Sequence, residues 1–501
     1  MSRLVQASVL TAAALAGALL WWTQWGPGAP TRGDGVHGQQ RPQATGSMRL
    51  GATDASQIRG AVATDVSAQV ARAGEAIHVA LMDPPARWYG KHDDDGAFTF
   101  YASLVRETGR KDARFDANLS RAAREFVYQY TLLGREPPAD ARDFLLHGSG
   151  AVDSGVAFHH IHTSAESEAA VQEALETALR GEASEGGVLR LGIGEIFQPG
   201  AAGHTRHIGV LVSRRAVRVN PAPTRAEPGG WWTLRGRLPT GFREPHALLL
   251  YPDGTWVEQE ATTKGATFRL DVDTRSSHGE LIVQLLAEGP YGPTKMLQVP
   301  VFIGSEPPSR FDTVLPPDEG DLVDVDDAEK FALSLLNADR ARAGLGPLAG
   351  DPQLAAIARS HSADMRDNEF FGHRSPTTGM LGERLAADGY RGVTSAENVA
   401  LNNAIYEAEV GLMRSIGHRR NILGREFSHV GIGVAGAERE DGQRRWWLTQ
   451  VFGKPVAQVD REATRRRISS LATSSREEAG VAPLRLDDRL SEVADGAAAE
   501  V

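Results

Sequence analysis

Three short stretches of the 501-residue chain carry side chains from which chemistry can be built. His373 stands in Phe370-Phe371-Gly372-His373-Arg374-Ser375-Pro376, Glu397 in Ala396-Glu397-Asn398-Val399-Ala400, and His418 in Ser415-Ile416-Gly417-His418-Arg419-Arg420-Asn421. Imidazole and carboxylate are the donors of a divalent-ion site with an open coordination position, and equally of a general base with its orienter. The three residues lie too far apart in sequence for spacing to bring them together. Histidines and acids on loops beside strands also cap backbone groups and hold turns, and that alternative stays open for all three. His361 reads differently: with Leu354, Ile357, Ala358 and Met365 it falls on one helical face, as a packed helix residue does. There is no cysteine, which excludes disulfides, thiolate metal sites and thiol nucleophiles. No Gly-x-Ser-x-Gly elbow and no His-Glu-x-x-His helix is present.

The elements that must position these residues follow from local pattern. Asp351-Pro352 is a helix start, with Asp as N-cap and Pro in the first turn. Val430-Gly431-Ile432-Gly433-Val434 and Trp446-Trp447-Leu448-Thr449-Gln450-Val451-Phe452-Gly453 read as strands that helices cover. In this order and at this spacing the five blocks resemble a CAP domain, the fold shared by cysteine-rich secretory proteins, antigen 5 and pathogenesis-related 1. The cysteine-free copy here is similar to the bacterial SCP-like extracellular branch.

The resemblance implies an α-β-α sandwich over residues 328–456, with a solvent-open cleft lined by His373, Glu397, His418 and Asn398. It implies His373, His418 and Glu397 as ligands of a divalent cation such as zinc, or a small hydrophobic or amphipathic ligand of the lipid or sterol class in the same cleft. Many relatives carry a second acid on the helix before the second histidine, for which Glu407 and Glu409 are the candidates, and Leu412 stands where a tryptophan is frequent. No residue is assigned a catalytic role. A metal-assisted hydrolase using the same three residues is the alternative function, and a structural surface module is another.

A chain of this length requires about three domains. The net charge of −10 is dispersed, which disfavours nucleic acid and anionic membrane surfaces as partners. Arg3 followed by the apolar run Val9 to Trp22 reads residues 1–25 as a signal peptide or membrane anchor. The expected location is therefore secreted or cell-envelope, with membrane contact only through that segment. Residues 26–69 are a flexible spacer.

The expected fold class is α/β (α+β), and besides the CAP-like block it contains further units. Residues 70–215 match that block at a shift of about 235 to 239, with Gly109 on Gly344, Asp116 on Asp351, Leu119 on Leu354 and Leu191-Gly192-Ile193-Gly194 on Val430-Gly431-Ile432-Gly433. They are expected to form a degenerate CAP-like domain whose chemistry is lost, since Arg135, His159 and Leu179 fall at or near the positions of the His, Glu and His. Residues 216–305 hold short alternating runs separated by turn residues, as in an immunoglobulin-like β-sandwich. Residues 306–327 read as a solvated acidic linker. In 461–501, Ala479-Gly480-Val481-Ala482-Pro483-Leu484 repeats Ala343-Gly344-Leu345-Gly346-Pro347-Leu348, the opening of a partial CAP-like helical tail. The oligomeric state is open.

Overall fold

The computed structural model describes residues 75–91, 99–163, 168–180, 182–200, 203–215, 217–317, 319, 322, 324–438, 444–456, 460–485 and 487–499. The expected signal or anchor segment and the spacer lie outside them. The chain divides into two compact units, Met1–Tyr390 with Thr394–Lys454, and Arg391–Val393 with Pro455–Val501.

In the first unit, β1 (Ala76–Ala80) and β2 (Trp88–Tyr89) lead into α1 (Thr99–Glu107), β3 (Ala113–Phe115), α2 (Ala117–Leu133), α3 (Ala139–Gly148), β4 (Ala157–Thr163), α4 (Glu168–Leu179), β5 (Leu189–Gly200) and β6 (Gly203–Ser213). A four-stranded sheet runs β3-β5-β6-β4, with β3 parallel to β5 and the other pairs antiparallel. Leu104, Leu175 and Leu179 of α1 and α4 pack on one face, against Leu191, Ile193 and Val210. Leu119, Ala123 and Phe126 of α2 pack on the other. The α2 backbone lies directly on the sheet, because a Cβ at Gly192 would come 2.2 Å from the carbonyl carbon of Leu119 and one at Gly194 2.1 Å from the Arg124 nitrogen. Asp116 starts the helix by accepting from the Leu119 N–H at 3.0 Å, and Gly134 ends it in the left-handed conformation.

The chain then builds two facing sheets. One, ordered β13-β14-β10-β7, contains β7 (Arg218–Val219), β10 (Trp231–Arg237), β13 (Thr262–Lys264) and β14 (Thr267–Asp273); β8 (Ala222–Pro223) pairs with β2 instead. The other, ordered β12-β11-β15-β16-β9, contains β9 (Arg225–Ala226), β11 (Arg243–Leu250), β12 (Trp256–Glu260), β15 (Gly279–Gly289) and β16 (Gly292–Ile303). Trp232, Leu234, Phe268 and Leu270 of the first meet Leu249, Val283, Leu285 and Val299 of the second in one core. Alternation along β10 and β14 puts these side chains inside and the charged ones outside.

A second three-layer domain follows. It comprises α5 (Val325–Arg342), β18 (Ala349–Gly350), α6 (Pro352–Asp367), α7 (Leu381–Ala387), β19 (Gly392–Asn402), α8 (Ile405–Arg414), α9 (Ile416–Ile422), β20 (His429–Glu438) and β21 (Arg444–Pro455). Its sheet runs β18-β20-β21-β19, with β18 parallel to β20 and β20 antiparallel to β21. Leu354, Ile357 and Ala358 of α6 pack on one face, and Phe331, Leu335, Ile405 and Leu412 of α5 and α8 pack on the other around Phe452. The Leu, Ile and Phe side chains among these contribute up to about 1.5–3 kcal/mol each. Asp351 caps α6 through the Gln353 and Leu354 N–H groups at 2.9 and 3.0 Å. Gly431 and Gly433 lie under α6, a Cβ at either coming 2.1 Å from the Ala355 or Arg359 nitrogen. Strand order, parallel first pair, Asp-capped helix and paired glycines thus recur in the two α/β domains.

The stretch 306–327, expected as a solvated linker, does more than connect. Its residues Arg310–Val314 form β17, paired antiparallel with β1. Glu319 accepts from the Ile405 and Tyr406 N–H groups, both at 2.7 Å, and Asp324 accepts from Asp327 N–H at 2.8 Å. Its acids cap the starts of α8 and α5, where N–H groups lack helical partners and the helix dipole favours negative charge.

In the second unit, α10 (Arg461–Glu478) is capped by Asp460 and α11 (Asp488–Ala499) by Asp487, which accepts from the Arg489 and Leu490 N–H groups. Gly480 has φ 69° and Gly344 has φ 70°. Arg476 Nε donates to the Ala482 carbonyl at 2.7 Å, just as Arg340 Nε donates to that of Gly346 at 2.9 Å. The turn after α10 therefore repeats the turn after α5.

Candidate functional site

The loop between α6 and α7 carries His373, and its sequence fixes its shape. Phe370 is buried against Met365 and Val399. The Ser375 hydroxyl accepts from the Thr377 and Thr378 N–H groups at 2.9 and 2.8 Å and donates to Asp364. Arg384 reaches back from α7 and donates to the carbonyls of His373 at 3.1 Å and Gly379 at 2.7 Å.

Glu397 lies on β19, the edge strand, and is 5% exposed. Its Oε1 is 3.0 Å from His373 Nδ1, and its Oε2 accepts from Arg384 Nη2. His361 approaches from α6, with Nε2 4.0 Å from Glu397 Oε1 and 3.0 Å from the Gly372 carbonyl oxygen. Burial pushes the Glu397 carboxyl up, but the Arg384 guanidinium, the His373 hydrogen bond and His361 outweigh it and hold the group at about 2. A carboxylate acceptor requires the proton on Nδ1 of His373, so Nε2 is the ring nitrogen left to face a ligand.

His418 sits on α9, its ring centre 6.2 Å from that of His373. Burial first, then the charges of His373 and Lys295, lower it to about 3, so it is a neutral imidazole at physiological pH. Asn398, expected along the cleft wall, is fully buried. Its amide donates to the His418 carbonyl at 3.1 Å and to Gln450 Oε1 at 3.0 Å, while its oxygen accepts from Asn421 Nδ2 at 2.9 Å. With its amide and oxygen so committed, Asn398 positions α9 and does not reach a ligand.

The β-sandwich packs against the His373 loop and the start of α9. Tyr291, at the tip of the β15–β16 hairpin and 38% exposed, has its ring 5.3 Å from that of Phe370. Its carbonyl accepts from the Arg374 N–H at 2.9 Å, and a Cβ on Gly292 would lie 3.5 Å from His373 Cβ. At the other side, Gln284 accepts from the Ile416 N–H at 2.7 Å and donates to the Ser415 hydroxyl at 3.2 Å.

A model of the cysteine-rich secretory protein family, CAP, matches residues 333–452. That segment is a CAP domain. The chain is 39% identical over 127 residues to the uncharacterized protein YkwD of Bacillus subtilis (strain 168), covering 25% of this chain and 47% of that one. It is 37% identical over 108 residues to the uncharacterized membrane protein YlbC of the same organism, covering 21% and 31%. The chain thus spans half or less of these two relatives. Among solved structures it is similar to an extracellular protein containing an SCP domain from Bacillus anthracis str. Ames, at 19% identity and a TM-score of 0.23, over 56% of this chain and 92% of that one.

The CAP domain brings His373, Glu397 and His418 together, but Glu397 is engaged at both oxygens. Among the described residues no group of three or more His, Asp or Glu stands ready to hold a metal ion. Neither candidate for the second acid joins the set. Glu407 pairs with Arg142 of α3, and Glu409 lies buried with its Oε2 accepting from Gln450 Nε2 at 2.6 Å. Arg384 was missed because nothing local in Leu381–Ala387 marks it as a partner of Glu397. Tyr291 and Gln284 come from another domain and leave no signal in the CAP motifs. In the first α/β domain Arg135 is exposed and Leu179 is part of the core beneath α4, so no counterpart site forms there.

Proposed function

We propose that the protein is an exported binding protein whose CAP cleft takes a divalent cation of the zinc class on the rings of His373 and His418. The observation that carries this reading is the Glu397–His373 hydrogen bond at 3.0 Å. A metal-ligating histidine characteristically donates its other N–H to a carboxylate, which fixes the tautomer and raises basicity. Glu397, pinned by Arg384, is suited to that supporting role and not to direct ligation. Imidazoles are borderline-soft donors suited to such an ion, and solvent would complete its coordination. When bound, such an ion supplies a Lewis acid with exchangeable positions. Export rests on Arg3 and the apolar run Val9 to Trp22.

A second reading uses the same hydrogen bond, with His373 as a general base oriented by Glu397 in a hydrolase. Zinc titration of the full chain beside a His373→Ala, His418→Ala variant tests the first reading. One equivalent of zinc lost relative to the parent in a folded variant supports it, and an unchanged stoichiometry there sinks it. Turnover of an ester or peptide substrate abolished by Glu397→Gln, without added metal, would favour the second.

A further inference from the structure

The face of the first α/β sheet that α2 covers carries three imidazoles at its edge, unrelated to the CAP cleft. β4 is an edge strand of that sheet, and its residues His160 and His162 are two apart, so they project from one face. His162 pairs directly with His207 on β6. Ring centres are 5.3 Å apart for His160 and His207, 6.1 Å for His160 and His162, and 6.4 Å for His162 and His207. The His160 and His207 rings meet head-on in a hydrogen bond, with Nε2 of the first 3.0 Å from Nδ1 of the second. Tyr130 of α2 stacks on His160 with ring centres 3.9 Å apart, and His207 Nε2 is buried without a hydrogen-bond partner. His162 is exposed, so protons reach the group from solvent at the sheet edge.

A bond between two imidazoles sets a limit on protons. One ring donates its N–H and the other accepts with a lone pair, so the accepting ring must be unprotonated. With both rings protonated, N–H faces N–H and charge faces charge, and His162 adds a third charge beside them. Little nearby offsets this. Among the described residues no carboxylate contacts the three rings. Tyr130 is the titratable group that α2 turns toward them, while Arg124 and Glu125 are engaged with Asp83 and the Met82 N–H. Glu195 of β5 and Arg206 of β6 pair with each other on the opposite face, where alternation also puts His159. Packing does not call for imidazoles here either. By strand register His207 corresponds to Trp447 of the CAP domain, which packs with Met365, Phe370 and Val399 in an apolar cluster.

We propose that His160, His162 and His207 form an acid-sensitive latch, which holds the edge strand β4 on β6 while the rings are neutral and releases it when they take up protons. Burial first, and then His207 and His162, lower His160 to about 4, and burial with His162 lowers His207 as well. An imidazole that the fold holds below its ordinary 6.5 stabilises the closed strand above that value, and the contribution is lost as pH falls toward 4. His160 alone thus raises the opening constant of β4 by ~30-fold between about pH 7.5 and about pH 5. Release leaves the N–H and C=O groups of β6 that β4 satisfies open to another strand.

The test is amide hydrogen exchange of the full chain at the two pH values, read as protection factors so that the intrinsic pH dependence of exchange cancels. Protection over Ala157–Thr163 is expected to fall by ~30-fold or more on acidification, with that of β14, which carries no histidine, changing far less. His160→Phe keeps a ring against Tyr130 and cannot titrate, so most of the fall should disappear in that variant. Imidazole NMR titration of the unaltered chain covers the case in which His160→Phe does not fold: His160 and His207 should both titrate below 6.5, as the native β4 signals are lost. No fall over β4, an equal fall over β14, or the full fall persisting in a folded His160→Phe variant overturns the proposal. A His160 ring that titrates at its ordinary value with β4 still closed overturns it as well.

Discussion

Glu397 Oε1 and His373 Nδ1 are 3.0 Å apart, and the other oxygen of the same carboxylate is held by Arg384. The carboxylate is nearly buried, and what keeps it ionised is a guanidinium with equally little exposure. Breaking one side of such a pair leaves a buried charge uncompensated, at a cost of about 3–5 kcal/mol. Glu397→Gln is therefore expected to destabilise the chain by about that much in urea unfolding, and Arg384→Met likewise. The double variant should recover part of the loss. Additive losses in the double variant would show that the two side chains do not act as a pair.

The hairpin contact makes a second prediction. A Cβ at Gly372 would come 2.6 Å from both the Cβ and the carbonyl oxygen of Tyr291. Gly372→Ala should lift the hairpin and break the Arg374 N–H bond to that carbonyl. Hydrogen exchange at the Arg374 amide is expected to speed up, with exchange in the distant strand β14 unaltered. Unchanged protection at Arg374 would mean that the hairpin does not rest on this loop.

Much of the CAP fold was legible in sequence, while the contacts around Glu397 were not, and the dividing line is range. The Asp351 cap and the glycines under α6 are local patterns with local causes. Asn398 was placed with the cleft by resemblance, yet its side chain turns to Gln450 and α9, which only the sheet register reveals. Arg384 and Tyr291 act across a loop and across a domain boundary, so no periodicity marks them. The same holds for His162 and His207, which meet only because β4 and β6 pair in one register.

Glu409 gives a pH prediction. Burial first, and then the neighbouring Asp339 carboxylate, raise it well above the ordinary value of 4.5. A raised carboxyl stabilises the fold below its unfolded value, and that contribution is lost as pH rises toward the folded value. Glu409→Gln keeps the shape and the Gln450 contact without the charge. It should raise stability at pH 8 by about 1–3 kcal/mol, with the gain vanishing near pH 4. A loss of stability at pH 8 would contradict the assignment.

The paired glycines test the likeness of the two α/β domains. An added methyl at Gly192 or Gly431 collides with the backbone of Leu119 or Leu354, where no side chain can rotate away. Either alanine variant should cost about 1–3 kcal/mol or more, since overpacking forces the helix off the sheet. Tolerance at Gly192 alone would show that α2 sits less firmly on its sheet than α6 does.

The most direct test of the cleft is an anomalous difference map at the zinc edge from crystals of the full chain soaked in zinc. A peak is expected at about 2.1 Å from the ring nitrogens of His373 and His418, with Glu397 still hydrogen-bonded to Nδ1 of His373. No peak between the two rings, or Glu397 swung into the coordination sphere with Arg384 released, would contradict it.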